Sequence, residues 1–293
     1  LPIVWDYVEA NPFSDATKSF QSALDFLHDY VIEQTSLALQ RGTVDLADAC
    51  NSPLPNESCS VCFTDPPYYD AVPYADLSDF FFVWLKRAIP DHPLLHDPFD
   101  PTNLLTPKTT EIVQDETKQH DGHPKDRLFF EEQMAKAFRE ARRVLRDGGI
   151  GSVVFAHKAT EGWESLLSGL IRGRWTITAS WPIATEAANR LRAFDSAALA
   201  TSVHLLCRPR PEDPRVGDWA HALRELPTRV AHWVERLQGE GVRGADLVFA
   251  CIGPALEIFS RYSSSTVTVI YPQSMLPGGG RRGGKVCVAW YQW

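Results

Sequence analysis

The chain has 293 residues, 44% hydrophobic and 23% charged, the composition of an ordinary globular protein with a sizeable core. Its net charge of −8 excludes binding of nucleic acid through an overall positive charge, so any phosphate contact needs a local basic patch. The longest apolar run, Phe80 to Leu85, is far too short to span a bilayer, and the opening residues carry no secretory signal.

Residues 1–16 carry Trp5, Tyr7 and Phe13 among polar neighbours, and residues 17–40 have the apolar spacing of a helix closed by Gly42. Thr43 to Asp48 alternates in the manner of a short strand that ends in an acid, followed by Ala49 and a proline-rich loop. Val61, Cys62 and Phe63 form a second strand, which stops at Asp65. Pro66 and Pro67 cannot donate to a sheet ladder and hold Asp65 extended, so a strand runs into a stiff loop bearing a carboxylate, Tyr68 and Tyr69. In an open α/β sheet, that end of a strand is where ligands bind.

Asp65-Pro66-Pro67-Tyr68 resembles the Asp-Pro-Pro-Tyr motif of amino-directed nucleic-acid methyltransferases. An exocyclic aromatic amine is a poor nucleophile because its lone pair is delocalised into the ring. The Asp65 carboxylate and the Pro66 carbonyl are placed to accept its protons, and Tyr68 offers a face for a base flipped from its stack. The stretch from Asp65 to Arg87 is similar to large, otherwise uncharacterised bacterial adenine-specific DNA methylases often found near anti-phage systems. Trp5-Asp6-Tyr7 to Phe13 and Phe155-Ala156-His157-Lys158 extend that resemblance, which covers most of residues 1–262.

The resemblance implies a class I S-adenosylmethionine-dependent methyltransferase fold, an α/β Rossmann-like sheet, with S-adenosyl-L-methionine as methyl donor. Asp48, Ala49 and Asp65 are then the expected cofactor contacts. DNA with its adenine flipped out is the expected partner, and no membrane is involved. The strands visible in the sequence correspond to the third through seventh of that sheet. No Phe-x-Gly-x-Gly loop is found, so the cofactor site is expected to need a further chain or segment supplying one. The chain also lacks an initiator Met, which points to the carboxyl-terminal part of such an enzyme. An RNA amino-methyltransferase and a non-catalytic module with a degenerate methylase fold are the competing readings.

Phe80 to Ile89 reads as a helix whose Phe80, Phe81 and Trp84 are expected in the core. Residues 90–124 have no sustained periodicity and are expected to form a lid, a binding loop or a disordered linker, with Lys108 as a substrate contact. From Asp126 a helix with Phe130, Met134 and Phe138 on one face is expected to end at Asp147-Gly148-Gly149 before the strand 150–155. His157 and Lys158 follow that strand on the ligand side and are expected to touch or support the substrate. After a helix from Trp163 to Ile171, residues 175–181 and 200–207 read as an antiparallel pair.

The methyltransferase-like domain is taken as 1–210, a helical extension as 211–262 and a flexible tail as 263–293. Arg142, Arg143 and Arg146, Arg172 and Arg174, Arg190 and Arg192, and Arg208 and Arg210 are separate candidate phosphate contacts. Cys59 and Cys62 have no second cysteine pair to complete a zinc site, and read as strand thiols in a reducing, cytoplasmic setting.

Overall fold

The computed structural model describes residues 13–14, 19–37, 40, 42–157, 159–184, 201–211, 219–242, 247, 251–260, 267–271 and 287–291. The chain divides into two compact units, Leu1–Asp45 and Leu46–Trp293. In the first, helix α1 (Phe20–Thr35) starts at Ser19, whose side chain accepts a bond from the Ser22 amide, and it has no buried residue. Trp5, Tyr7, Lys158, Arg190 and Arg192 lie outside the described residues.

The second unit is an α/β domain built on a four-stranded mixed sheet, so the α/β expectation is met. Its strands are β1 (Cys59–Thr64), β4 (Leu145–Phe155), β6 (Thr201–Pro209) and β5 (Trp175–Ala184), in that spatial order. β1 runs parallel to β4, while β6 lies antiparallel between β4 and β5. The expected antiparallel pairing of the last two strands is therefore present, with β6 inserted toward the middle. Among the described residues β1 is an edge strand.

Residues 43–47 do not form the expected strand; Asp48 makes only an isolated bridge to Asn51. Instead residues 50–57 run along helix α3 (Arg127–Val144). The Cys50 thiol bonds the Gln133 carbonyl, the Ser52 amide donates to Glu140, and the Glu57 amide donates to the Arg143 carbonyl. Alternation over six residues offers a strand no partner, and just after it side chains of α3 satisfy the backbone of Ser52 and Leu54.

Asp126 caps α3 by accepting from the Phe129 amide at 2.8 Å, and Phe130, Met134 and Phe138 bury its inner stripe. The helix stops at Val144, three residues before the expected glycine cap. Leu145 already pairs with Cys59, and the Asp147-Gly148-Gly149 turn is a bulge within β4, held by Arg208 donating to the Gly148 carbonyl. Helix α4 (Thr160–Arg172) packs on α3 through Trp163, Leu166, Leu167 and Leu170.

Helix α2 (Tyr74–Ala88) overturns the core expectation for its aromatics: Phe80, Phe81 and Trp84 are 66%, 65% and 56% exposed. On the neighbouring strand Phe63 is 64% exposed. Apolar periodicity marks a face without supplying the element that covers it.

Residues 90–124 are more ordered than expected. β2 (Asp115–His120) and β3 (His123–Lys125) form a hairpin closed by Asp121 and Gly122, both at positive φ. In the extension, α5 (Trp219–Gly239) precedes α6 (Ile252–Ser260), and α6 packs on β5. The Ser260 hydroxyl accepts the Ile177 amide at 2.8 Å, beside a bulge in β5 that interrupts the ladder. Within the tail expected to be flexible, β7 (Val267–Tyr271) and β8 (Cys287–Tyr291) pair antiparallel. Val-Thr-Val-Ile-Tyr is rich in β-branched residues, which favours that outcome. Among the described residues no helix is long and apolar enough to cross a membrane.

Candidate functional site

Thr64 pairs with Val153, so the ends of β1 and β4 bring Asp65 and Ala156-His157 to one edge of the sheet. Asp65 is exposed, and its carboxylate has no hydrogen-bond partner among the described residues. Pro66 is buried beneath it, while Pro67 and Tyr68 are half-buried. The Tyr68 ring meets Phe155 edge-on with centroids 5.3 Å apart, leaving part of the phenol open to solvent. The carboxylate, the Pro66 carbonyl and one aromatic ring thus follow each other on a stiff loop.

Tyr69 corrects one expectation. Its place after the motif suggests a substrate contact, yet it is 5% exposed and packs edge-on against Phe130 in the core. Its hydroxyl donates to Glu161 at 3.1 Å, and burial followed by that carboxylate pushes the phenol's pKa well above its ordinary value. The residue adopts φ +58, a conformation costly for a side chain with a Cβ. Its carbonyl accepts the Gln114 amide at 3.1 Å, and its amide bonds the Pro67 carbonyl at 3.0 Å. Tyr69 is the peg that fixes the loop, while Tyr68 stays half-buried beside Phe155.

A second anchor comes from residues 87 positions apart in sequence. His157 Nε2 lies 2.9 Å from Asp70 Oδ1, and His157 Nδ1 lies 3.1 Å from the Ala159 carbonyl. The imidazole is stacked over the first turn of α4, where a Cβ on Gly162 would come within 2.5 Å of Nδ1. Both ring nitrogens therefore face protein groups, and His157 serves to hold the loop. Neither Asp70 nor Gly162 stands out in the sequence; the one signal is a glycine in a helix's first turn.

The region after α2 is tied to the start of that helix and, through the Gln114 amide on the Tyr69 carbonyl, to the loop. Glu111 accepts the Ala75 amide at 2.8 Å, and the Thr106 hydroxyl donates to the Ala75 carbonyl at 2.6 Å. Lys108 pairs with Asp79 at 2.7 Å, so the cation expected to touch substrate is occupied in holding this segment to α2. Lys125 is buried, donates to the Glu111 and Lys108 carbonyls, and has its pKa drawn down by burial. Residues 106–125 are thereby a brace for the loop.

Nothing in the sequence singles out Tyr74, at the start of α2. Burial first, then the charges of Asp65 and Glu111, raise its phenol pKa.

Asp48 lies by the Gln133 level of α3. Its Oδ1 accepts the Cys50 amide at 2.8 Å, and burial, then this carboxylate, push the Cys50 thiol up to about 11. Asp48 is thus a turn-capping residue whose carboxylate also meets the Cys50 thiol, and Ala49 beside it is exposed. Against S-adenosyl-L-methionine the fit is partial. Asp48 offers an acceptor for an adenine amine, whereas Gly122, Gly148 and Gly241, the described glycines at positive φ, lie in a hairpin, a strand bulge and a helix end. None of them forms a strand-to-helix turn for the ribose and methionine ends.

No protein-family model and no curated protein matches the chain. Among solved structures it is similar to a provisionally assigned DNA modification methylase of Thermus thermophilus. For the selenomethionine derivative the identity is 12% and the TM-score 0.28, over 61% of this chain and 58% of that one. For the native crystal the identity is 12% and the TM-score 0.30, covering 63% of each chain. For the crystal complexed with S-adenosyl-L-methionine they are 15% and 0.30, over 63% of this chain and 64% of that one. The chain spans less than two thirds of the length of the structures it matches.

Proposed function

We propose that this chain carries the target-base site of an amino-directed DNA methyltransferase, acting on the exocyclic N6 of adenine. The observation that carries the reading is Asp65, an exposed carboxylate with no hydrogen-bond partner among the described residues, on a proline-stiffened loop at the carboxyl edge of the sheet and followed by the half-buried ring of Tyr68. The strand order, with one antiparallel strand between two parallel to each other, supports it as the carboxyl half of the sheet that the sequence resemblance implies.

In this reading the flipped adenine lies on Tyr68. Its amine donates one hydrogen bond to Asp65 and one to the Pro66 carbonyl, which concentrates the nitrogen lone pair. Tyr69, His157 and the 106–125 brace keep those acceptors in place, since a small misplacement of acceptors is costly in rate. S-adenosyl-L-methionine supplies the electrophilic methyl group, with Asp48 as the residue here that would bind its adenine edge. The Gly-rich part of that cofactor site comes from a further segment or chain.

The test is methyl transfer from isotopically labelled S-adenosyl-L-methionine to duplex DNA, single-stranded DNA and RNA, in an assembly that includes a Gly-rich cofactor turn. Label incorporated into DNA and lost in Asp65→Ala supports the reading. Label in RNA alone replaces it with RNA amino-methylation, and equal label with Asp65→Ala removes the site from the chemistry.

A further inference from the structure

Three arginine clusters that are far apart in sequence converge at the sheet edge opposite the Asp65 loop. A cleft of about 280 Å³ is lined by Asn56, Glu57, Arg139, Arg142, Arg143, Gly173, Arg174 and Arg210. Asn56 and Glu57 precede β1, Arg174 precedes β5, and Arg210 follows the antiparallel β6. The cleft therefore sits a strand's length from Asp65, roughly 20 Å for the six residues of β1. The Arg210 amide donates to the Arg174 carbonyl at 2.9 Å, which sets the two guanidinium-bearing residues side by side.

The five arginines do not have the same work. Arg143 is spent on structure, bonded to Glu140, Asn56 and the carbonyls of Ser52 and Leu54. Arg142 bonds the Leu145 carbonyl and pairs with Asp147 at 3.3 Å. Arg210 gives one terminal nitrogen to the Trp175 and Ser260 carbonyls, yet its buried Nε has no partner among the described residues. Arg139 and Arg174 have no side-chain partner among the described residues. Arg174 also holds φ +65, and a Cβ on the adjoining Gly173 would fall 2.5 Å from the Phe138 Cβ. Burial, then the charge of Arg174, depress the Arg210 pKa, and no carboxylate among the described residues pairs with either guanidinium. Leaving like charges together costs stability unless an anion joins them.

We propose that this cleft binds the phosphate groups of a small, nucleotide-sized anion, with Arg139, Arg174 and the Nε of Arg210 as its donors. Guanidinium forks match phosphate oxygens in geometry and charge. The cleft's volume suits a diphosphate, and of its lining residues only Glu57 is acidic, against five arginines. It is a second site, separate from the target-base loop.

The experiment is isothermal titration calorimetry of the full chain with inorganic pyrophosphate, against sodium chloride at matched ionic strength. Saturable binding of one equivalent is expected, weakened about tenfold or more in Arg139→Gln and again in Arg174→Asn. Asparagine tolerates the positive φ at 174; should that variant melt early, Arg139→Gln alone carries the test. Arg146→Gln, outside the cleft, is expected to bind as wild type. Absence of saturable pyrophosphate binding, or undiminished affinity in both cleft variants, overturns the proposal. A duplex oligonucleotide that binds through the same arginines while pyrophosphate does not also overturns it, assigning the cleft to a nucleic-acid backbone.

Discussion

The two flanks of the sheet are built to different standards. On the β4–β6–β5 flank, Phe155, Ile177, Leu205 and Cys207 interlock with Trp163, Leu166 and Phe130 from α3 and α4, all buried. On β1 and on the following helix α2, by contrast, Val61, Phe63, Phe80, Phe81 and Trp84 are exposed. The Asp65 loop lies on the seam between them. Its packed side is pinned by Tyr69 and His157, while Asp65 and part of Tyr68 remain on the open side. A group that must meet substrate needs both conditions: a rigid base and an unblocked front.

That contrast is broken most sharply by truncating an aromatic residue on each flank. Trp163→Ala removes a fully packed ring and its indole bond to the His157 carbonyl, and is expected to cost about 3–5 kcal/mol in urea denaturation. Phe81→Ala on the open flank is expected to change stability by no more than about 0.5 kcal/mol. Comparable losses in both would mean that the α2 face is covered in solution.

Asp65→Ala sharpens the comparison from the chemical side. Methyl transfer is expected to fall about 10²–10³-fold, as on loss of one preorganised acceptor, with the denaturation midpoint unchanged. A parallel fall in stability would make Asp65 a packing residue.

Gly162→Ala probes the pinned side with a smaller effect. The added methyl displaces His157 from its seat and loosens Asp70, lowering kcat about tenfold with little change in KM for DNA. Asp70→Asn, which keeps an acceptor for the imidazole, is expected to retain more activity than Asp70→Ala. Equal activity in those two variants would show that the His157 contact does not position the loop.

The smallest effect belongs to acid. Glu140 is held below its ordinary 4.5 chiefly by the Arg143 hydrogen bond, so folding gains from its ionised form. This contribution is present above 4.5 and is lost as pH falls through the depressed folded value. Wild type is expected to lose more stability over that window than Glu140→Gln, by denaturant titration at each pH.

Much of this architecture is legible in the sequence because it is local. Phe130, Met134 and Phe138 recur at helical spacing, and Asp65-Pro66-Pro67-Tyr68 bears its stiffness in its own residues. The strand expected over residues 43–48 does not form because pairing belongs to a neighbour, and Val44 and Leu46 remain exposed. Tyr69 reads as a substrate residue because sequence gives a tyrosine's place on a loop, not the direction it turns; its φ of +58 sends it inward. Likewise the Asp70–His157 contact and the meeting of Arg139, Arg174 and Arg210 arise from topology that no local window contains.

The central claim is that Asp65 serves chemistry on an amine. It is tested most directly by mass spectrometry of nucleosides released from DNA methylated by the assembly carrying this chain, wild type against Asp65→Asn. N6-methyldeoxyadenosine is expected from wild type, with near-complete loss from the variant. Methylation at a ring carbon such as C5 of cytosine, or undiminished N6-methyldeoxyadenosine from Asp65→Asn, would contradict it.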